Sequence, residues 1–347
     1  MNKLKYVPVL RFREQERKAL AGTSISDKML PLVEIMQDTS GDKRPKDMIN
    51  EFVNDFHNFN TYVMLDFPLY LPIQSNTQEK VRDFIQRLKA APATRIQLFL
   101  DQRLTSMNNL IPVITYDPST PYIQGDLVNQ ELQLRPYYEI VAYRIFPNHF
   151  QSALSDIANC IKDGDLVLFD IDEEHHHNTV LNNLYPLIKT MLPNVTYKTV
   201  LIRSAIPRDL YNTQLTTGQV ITQADNGLLR SYNKLGFDAF GDFVGIKRDF
   251  LTDIPRISPG FIYYSWSQNV YYGFSGTRNN LSSFITHITP AVLNSIPWQQ
   301  YNAVHKCNCI GCLSINNISQ GTERGKSQAK WKGFAFAHYL YTMEEFL

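Results

Sequence analysis

The sequence predicts an α/β protein, a (β/α)8 TIM-type barrel with a C-terminal aromatic hairpin and helical extension. Three observations lead there. Apolar runs of strand length recur along the chain, most followed by a segment whose apolar residues return every three or four positions, as a helix packed on a sheet requires. The runs are near-continuous rather than alternating, which marks parallel strands buried on both faces. Alternating βα units of roughly 30 residues suit a closed barrel, with a doubly wound open sheet as the competing arrangement.

In chain order the candidate strands are "YVPVLRF" (6–12), "LPLVEIM" (30–36), "TYVMLDF" (61–67), "RIQLFLD" (95–101), "LIPVITY" (110–116), "EIVAYRIF" (139–146), "DLVLFDID" (165–172), "KTVLIRS" (198–204) and "DFVGIK" (242–247). Amphipathic stretches such as "PKDMINEFVNDFHNF", "TQEKVRDFIQRLKAA", "HFQSALSDIANCIK" and "TVLNNLYPLIKTML" lie between them. Nine candidates compete for eight places, and only a short loop separates 95–101 from 110–116, so one of those two is surplus. The barrel is expected over 1–250. Beyond it, "PGFIYYSWSQNVYYGFSGTR" reads as a hairpin of β-formers bounded by Gly and Pro, followed by helices near 281–295 and 327–346. The segment 251–347 is expected to pack on the barrel as part of one elaborated unit.

Composition removes several function classes. With 347 residues, 44% hydrophobic and 19% charged, the chain can bury a large core. A net charge of +1 argues against a nucleic-acid coat or a polybasic membrane binder. No window approaches 18 uninterrupted apolar residues, and the opening "MNKLKYVPVLRFREQERKAL" has no long apolar stretch, so no membrane partner is expected. Three of the four cysteines crowd into 307–312, unlike a disulfide framework, and a cytoplasmic setting is expected. P-loop, dinucleotide, nucleophile-elbow and zincin motifs are all missing from the sequence.

Barrel chemistry sits at the C-terminal ends of the strands. Here those ends carry Arg11, Glu34, Asp66, Asp101, Arg144, Asp170 with Asp172, Arg203 and Lys247. Alternation of side chains places Asp170 and Asp172 on one face. Glu34, Asp66, Asp170 and Asp172 are therefore candidate catalytic ligands of Mg²⁺ for phosphoester hydrolysis, with the cations offsetting phosphate charge. The same ring, with Arg11, Asp101, Arg144, Arg203 and Lys247, could instead recognise a nucleotide, a phosphate or a protein tail. An ion-pair network closing the barrel would show the same mixture of signs. Just past the aspartates, "EEHHHN" reads as a loop in which His175 or His177 could join the site, since three adjacent histidines cannot all point one way.

Near the C-terminus "CNCIGC" offers Cys307, Cys309 and Cys312 as zinc ligands, with His338 or His305 completing a structural tetrahedral site. The bland alternative is a loop of unliganded thiols. The segment "WKGFAFAHYLYTMEEFL" has more aromatic surface than one stripe needs; core packing accounts for most of it, and a partner-binding face is the sharper alternative.

Finally, "YVPVLRFREQERKAL" followed by "LPLVEI" resembles the opening of the bacteriophage beta-protein family. The matching positions are Tyr6, Pro8, Leu10, Arg13, Glu16, Ala19, Leu20, Pro31, Leu32, Glu34 and Ile35. "FGDF" (240–243), the cysteine cluster and "WKGFAFAHYL" (331–340) resemble that family in order and spacing. Its members are encoded by phages, prophages, phage satellites and bacterial defence loci. The resemblance implies an accessory role in conflict between phage and host, exercised through a partner protein from the same locus, and it transfers no active site.

Overall fold

The computed structural model describes residues 3–40, 46–249, 251–252 and 257–347. Residue 250, where the sequence places the end of the barrel, lies outside them. The chain forms two compact units, 1–12 with 27–203 and 228–241, and 13–26 with 204–227 and 242–347.

The first unit contains a closed barrel of eight parallel strands in sequential order. They are β1 (Tyr6–Arg11), β2 (Leu32–Glu34), β3 (Val63–Asp66), β4 (Leu110–Ile114), β5 (Ala142–Ile145), β6 (Leu166–Asp170), β7 (Lys198–Ile202) and β8 (Ala239–Asp242). Helices interleave with the strands along the chain, so this is a (β/α)8 barrel. Every strand residue is buried except Lys198, which is half-buried, and this explains the near-continuous apolar runs. In sequence order α1 is Glu14–Ala21, α2 Met48–Phe56, α3 Glu79–Ala90, α4 Pro92–Phe99, α5 Gln102–Thr105, α6 Asp126–Leu134, α7 Phe150–Ala158, α8 Thr179–Met191 and α9 Leu228–Ser231. Two of their starts carry side-chain caps of the usual kind: Asp47 accepts from the amides of Ile49 and Asn50, and Asn178 from Val180.

Two expected strands are corrected. The 95–101 run is α4, not a strand, and 110–114 is the barrel strand. Pro92 sits in the first turn, where its missing N–H costs nothing, and Ile96 and Phe99 bury one helical face. At the other end, the strand is Ala239–Asp242 rather than 242–247. Val244 and Gly245 both have positive φ, 52° and 65°, which ends the strand, and Asp242 Oδ1 accepts from the Val244 amide at 2.8 Å. Gly241 is there because a Cβ would lie 2.9 Å from the Val7 carbonyl oxygen on β1.

The second unit is built on an antiparallel hairpin, β9 (Gly260–Ser265) with β10 (Val270–Ser275), flanked by the two-residue strand Gln219–Val220. A π-helical turn, Phe284–Ile288, leads into α10 (Thr289–Leu293), α11 (Ile296–Gln299), α12 (Ala303–Asn308), α13 (Ile310–Ser319) and α14 (Gln328–Phe346). Phe261, Tyr263, Tyr272 and Phe274 from the hairpin join Phe284, Trp298, Ile315, Trp331 and Phe334 in one aromatic core. Eleven residues of α14 are buried, among them Trp331, Phe336, Tyr339 and Leu340, so its aromatic content serves packing. No helix among the described residues is long and apolar enough to cross a membrane.

Replacing Gly241 with Ala forces β1 and β8 apart at a backbone atom that cannot rotate away. We expect a stability loss of about 1–3 kcal/mol, typical of overpacking, in chemical denaturation.

Candidate functional site: a buried ion-pair network at the barrel mouth

Register sets the site. Arg11 pairs with Glu34 across β1 and β2, and Glu34 with Asp66 across β2 and β3, so three charged side chains stand side by side at the ends of adjacent strands. Arg144 on β5 and Asp170 on β6 arrive from the far side of the barrel. The Arg144 guanidinium is fully buried and spans the gap: Nη1 donates to Glu34 Oε1 and to Asp66 Oδ2, each at 2.8 Å. Its Nε and Nη2 donate to Asp170 Oδ2 at 3.1 and 2.6 Å. One cation thus serves three carboxylates that are themselves 0% exposed.

Further groups balance the charge. Arg95, on α4, donates from Nη2 to Asp66 Oδ1 at 2.9 Å, and its remaining donors reach the carbonyls of Phe67 and Val113 and the Gln130 side chain. Arg11 Nε faces Glu34 Oε2 at 3.9 Å. Tyr70, on the loop after β3, donates to Glu34 Oε1 at 2.6 Å and lays its ring 4.6 Å from the Arg144 guanidinium carbon. Burial disfavours the charge on Arg144, but Asp170 and Glu34 outweigh it and hold its pKa well above the ordinary value. At Arg95 burial is the larger influence and the pKa is lowered, although Asp66 opposes it.

The other expected mouth residues lie differently. The strand ends at Asp170, and Asp172 adopts φ 54°, so the alternation expected to place it beside Asp170 does not extend that far; its amide donates to Asp170 Oδ1 at 2.9 Å. Arg203 is buried just past β7 and donates from Nε to the Glu174 carbonyl at 2.8 Å. Asp101 is not at a strand end. It caps α5 through the Arg103 amide and pairs with the Arg103 side chain at 2.7 Å, because the run preceding it is helical. Lys247 is not at a strand end either, since β8 stops at Asp242; in the second unit it donates to the Leu210 carbonyl at 3.0 Å, and burial lowers its pKa. In the histidine loop His176 is buried while His175 and His177 are exposed; the His175 ring stacks on His176 at 4.7 Å, and His177 lies tilted by 45° against it at 4.5 Å.

The cysteine cluster is also revised. Cys307 is exposed and stands apart, whereas Cys309, Cys312 and His338 converge with His305, all four buried. His305 and Cys307 are two apart on α12 and so lie on different faces of it, while Cys309, extended at φ −75° and ψ 111°, caps α13 with Cys312 in its first turn. Burial penalises the Cys309 thiolate, yet hydrogen bonds from Cys312, His305 and His338 outweigh it and pull the thiol well below its usual range. At Cys312, burial and the neighbouring Cys309 push the thiol up.

Arg95 and Tyr70 were not anticipated. Arg95 sits in the run misread as a strand, and Tyr70 in a loop whose sequence carries no signal for its partner. Fold and mouth together define a (β/α)8 barrel protein whose strand ends are joined by a buried, charge-balanced network. The family model described as Beta protein matches residues 6–344, nearly the whole chain, and the chain belongs to that family. No curated protein matches it.

Removing one member strands a buried charge. Arg144→Gln and Asp170→Asn should each cost about 3–5 kcal/mol in denaturant unfolding. The double variant should lose less than the sum of the two, by about 0.5–3 kcal/mol, because the groups are in direct contact.

Proposed function

We propose that this protein is an accessory, binding component of a phage- or prophage-encoded conflict module, acting in the cytoplasm by engaging a partner protein encoded at the same locus. Membership of the family supports the setting, since such proteins are encoded by phages, prophages, satellites and defence loci. The observation that carries the binding reading over a hydrolytic one is that Arg144 already engages the mouth carboxylates. Glu34, Asp66 and Asp170 are the groups a hard cation would need, and Arg144 occupies all three. A Mg²⁺ ion there would have to displace charge-assisted hydrogen bonds worth about 1.5–3 kcal/mol each and leave a guanidinium buried beside it. Tyr70 adds a further obstacle, with its hydroxyl on Glu34 and its ring over Arg144. In this reading the network fixes the barrel as a rigid scaffold, and recognition belongs to the protein's outer surface.

The test is a phosphodiester hydrolysis assay on purified protein across a titration of Mg²⁺ and Mn²⁺, run beside the Asp170→Asn/Arg144→Gln double variant. Wild type and variant should both stay at the blank rate, and in cells challenged with phage the double variant should protect in proportion to its soluble level. Saturable metal-dependent turnover by the wild type that the folded double variant lacks would establish the hydrolase instead.

A further inference from the structure

Within the second unit, four donor atoms from three helices meet in a space from which water is excluded. His305 lies on α12, Cys309 at the break between α12 and α13, Cys312 on α13 and His338 on α14. All four side chains are buried to 1% exposure or less. One ligand atom from each lies within 4.8 Å of every other. His305 Nε2 is 3.5 Å from His338 Nδ1, which in turn is 3.8 Å from Cys309 Sγ and 3.5 Å from Cys312 Sγ. Zinc bonds of about 2.0–2.1 Å to nitrogen and 2.3 Å to sulfur, set tetrahedrally, separate such donors by about 3.3–3.8 Å.

The far sides of both imidazoles decide which nitrogen is left facing inwards. His305 Nδ1 is hydrogen-bonded to the Glu345 carboxylate, and His338 Nε2 to the Tyr264 carbonyl. A carbonyl can only accept, so His338 carries its proton on Nε2 and turns the Nδ1 lone pair inwards. The carboxylate likewise holds the His305 proton on Nδ1 and leaves Nε2 as a lone pair. Two nitrogens able to accept therefore lie 3.5 Å apart beside two thiols, a donor set that one cation at their centre would satisfy together. A carboxylate and a backbone carbonyl on the outer nitrogens are the partners that ligating histidines usually have.

We propose that His305 Nε2, Cys309 Sγ, Cys312 Sγ and His338 Nδ1 hold a structural Zn²⁺ ion. Two thiolates and two neutral imidazoles around Zn²⁺ sum to zero, so the centre can be buried without an uncompensated charge. Any proton still on either sulfur leaves to solvent when the ion binds. All four positions belong to the protein, which leaves no open coordination site for catalysis. Surrounding residues fit that structural role. The Tyr263 ring stacks on His338 at 4.0 Å with an interplanar angle of 8°. Gly311 lets α13 approach α14 so closely that a Cβ there would lie 2.3 Å from the Phe334 carbonyl oxygen. The ion would pin α12 and α13 to α14 next to the aromatic core.

This site is independent of the binding function proposed above, and so is its test. Protein prepared without chelators is assayed for metal, then emptied and titrated with Co²⁺ as a spectroscopic substitute. A single Zn²⁺ per chain is expected, with the intense absorption of tetrahedral cobalt bound to thiolate. Cys307→Ser should leave both unchanged. Cys312→Ser should abolish the cobalt signal, and Glu345→Gln should weaken Zn²⁺ about 10–100-fold by releasing His305 from its orientation. If the ligand variant does not fold, the wild type still decides: a strong chelator should lower its Tm and added Zn²⁺ should restore it. A wild-type Tm indifferent to both, an emptied protein with no cobalt absorption, loss of metal in Cys307→Ser, or a Cys309–Cys312 disulfide in a thiol count would each overturn the proposal.

Discussion

The Arg144 guanidinium, fully buried at the end of the barrel, is the constraint around which the first unit is arranged. It makes four hydrogen bonds to carboxylates on β2, β3 and β6 and is the cation those three share. Each charge has given up solvation that only its partners return. The geometry is therefore demanding: a slip of one residue in any of the four strands would turn a charge out of the barrel and leave its partner unpaired. Arg95 holds the second oxygen of Asp66 from outside the strand system, and Tyr70 holds Glu34 from a loop, so helix and loop positions are tied to the same register. A network of this kind is weak evidence of net stability, because well-packed apolar groups can often replace it at little cost, whereas removal of one partner is costly.

The second unit relies on a different constraint, aromatic packing around a helix in which eleven of nineteen residues are buried. Phe284, Phe334 and Phe261 lie against Trp331, and Tyr264 and Tyr271 against Tyr339. Polar tips are satisfied inside this core: Trp331 Nε1 donates to the Gly325 carbonyl at 2.8 Å, and the Tyr339 hydroxyl donates to Asp242. The positions that carry the family resemblance acquire physical meaning here. Arg13 and Glu16 form a bidentate pair at the start of α1, at 3.0 and 2.7 Å. Glu34 belongs to the mouth network, and the Asp242 of "FGDF" meets the Tyr339 of "WKGFAFAHYL".

The barrel was legible in the sequence because parallel strands buried on both faces leave recurring runs of apolar residues ending on a charge. Four of the expected site residues, Glu34, Asp66, Asp170 and Arg144, meet for the same reason. What failed was a matter of period and length. "RIQLFLD" is too short for its apolar pattern to separate strand from helix, and only Pro92 three residues earlier marked a helix start. Asp101 was misplaced with it. "AFGD" is a strand with a glycine and an acid in four residues, so the apolar "DFVGIK" beside it drew the assignment and carried Lys247 along. The cysteines were read by proximity in sequence, which could not show that the helix breaks at Cys309 and turns His305 rather than Cys307 to the cluster. Neither Arg95 nor Tyr70 could be paired with its acid before the fold was known, since tertiary packing alone brings them there.

The barrel mouth depends on Arg144 being locked between carboxylates that no cation displaces. Side-chain nitrogen NMR of the arginines reads this directly. The Arg144 Nε–H resonance should be shifted from the surface arginines, protected from exchange with water and unmoved by Mg²⁺ at millimolar concentration. An Arg144 resonance that exchanges as fast as an exposed arginine, or that shifts saturably as Mg²⁺ is added, would contradict it.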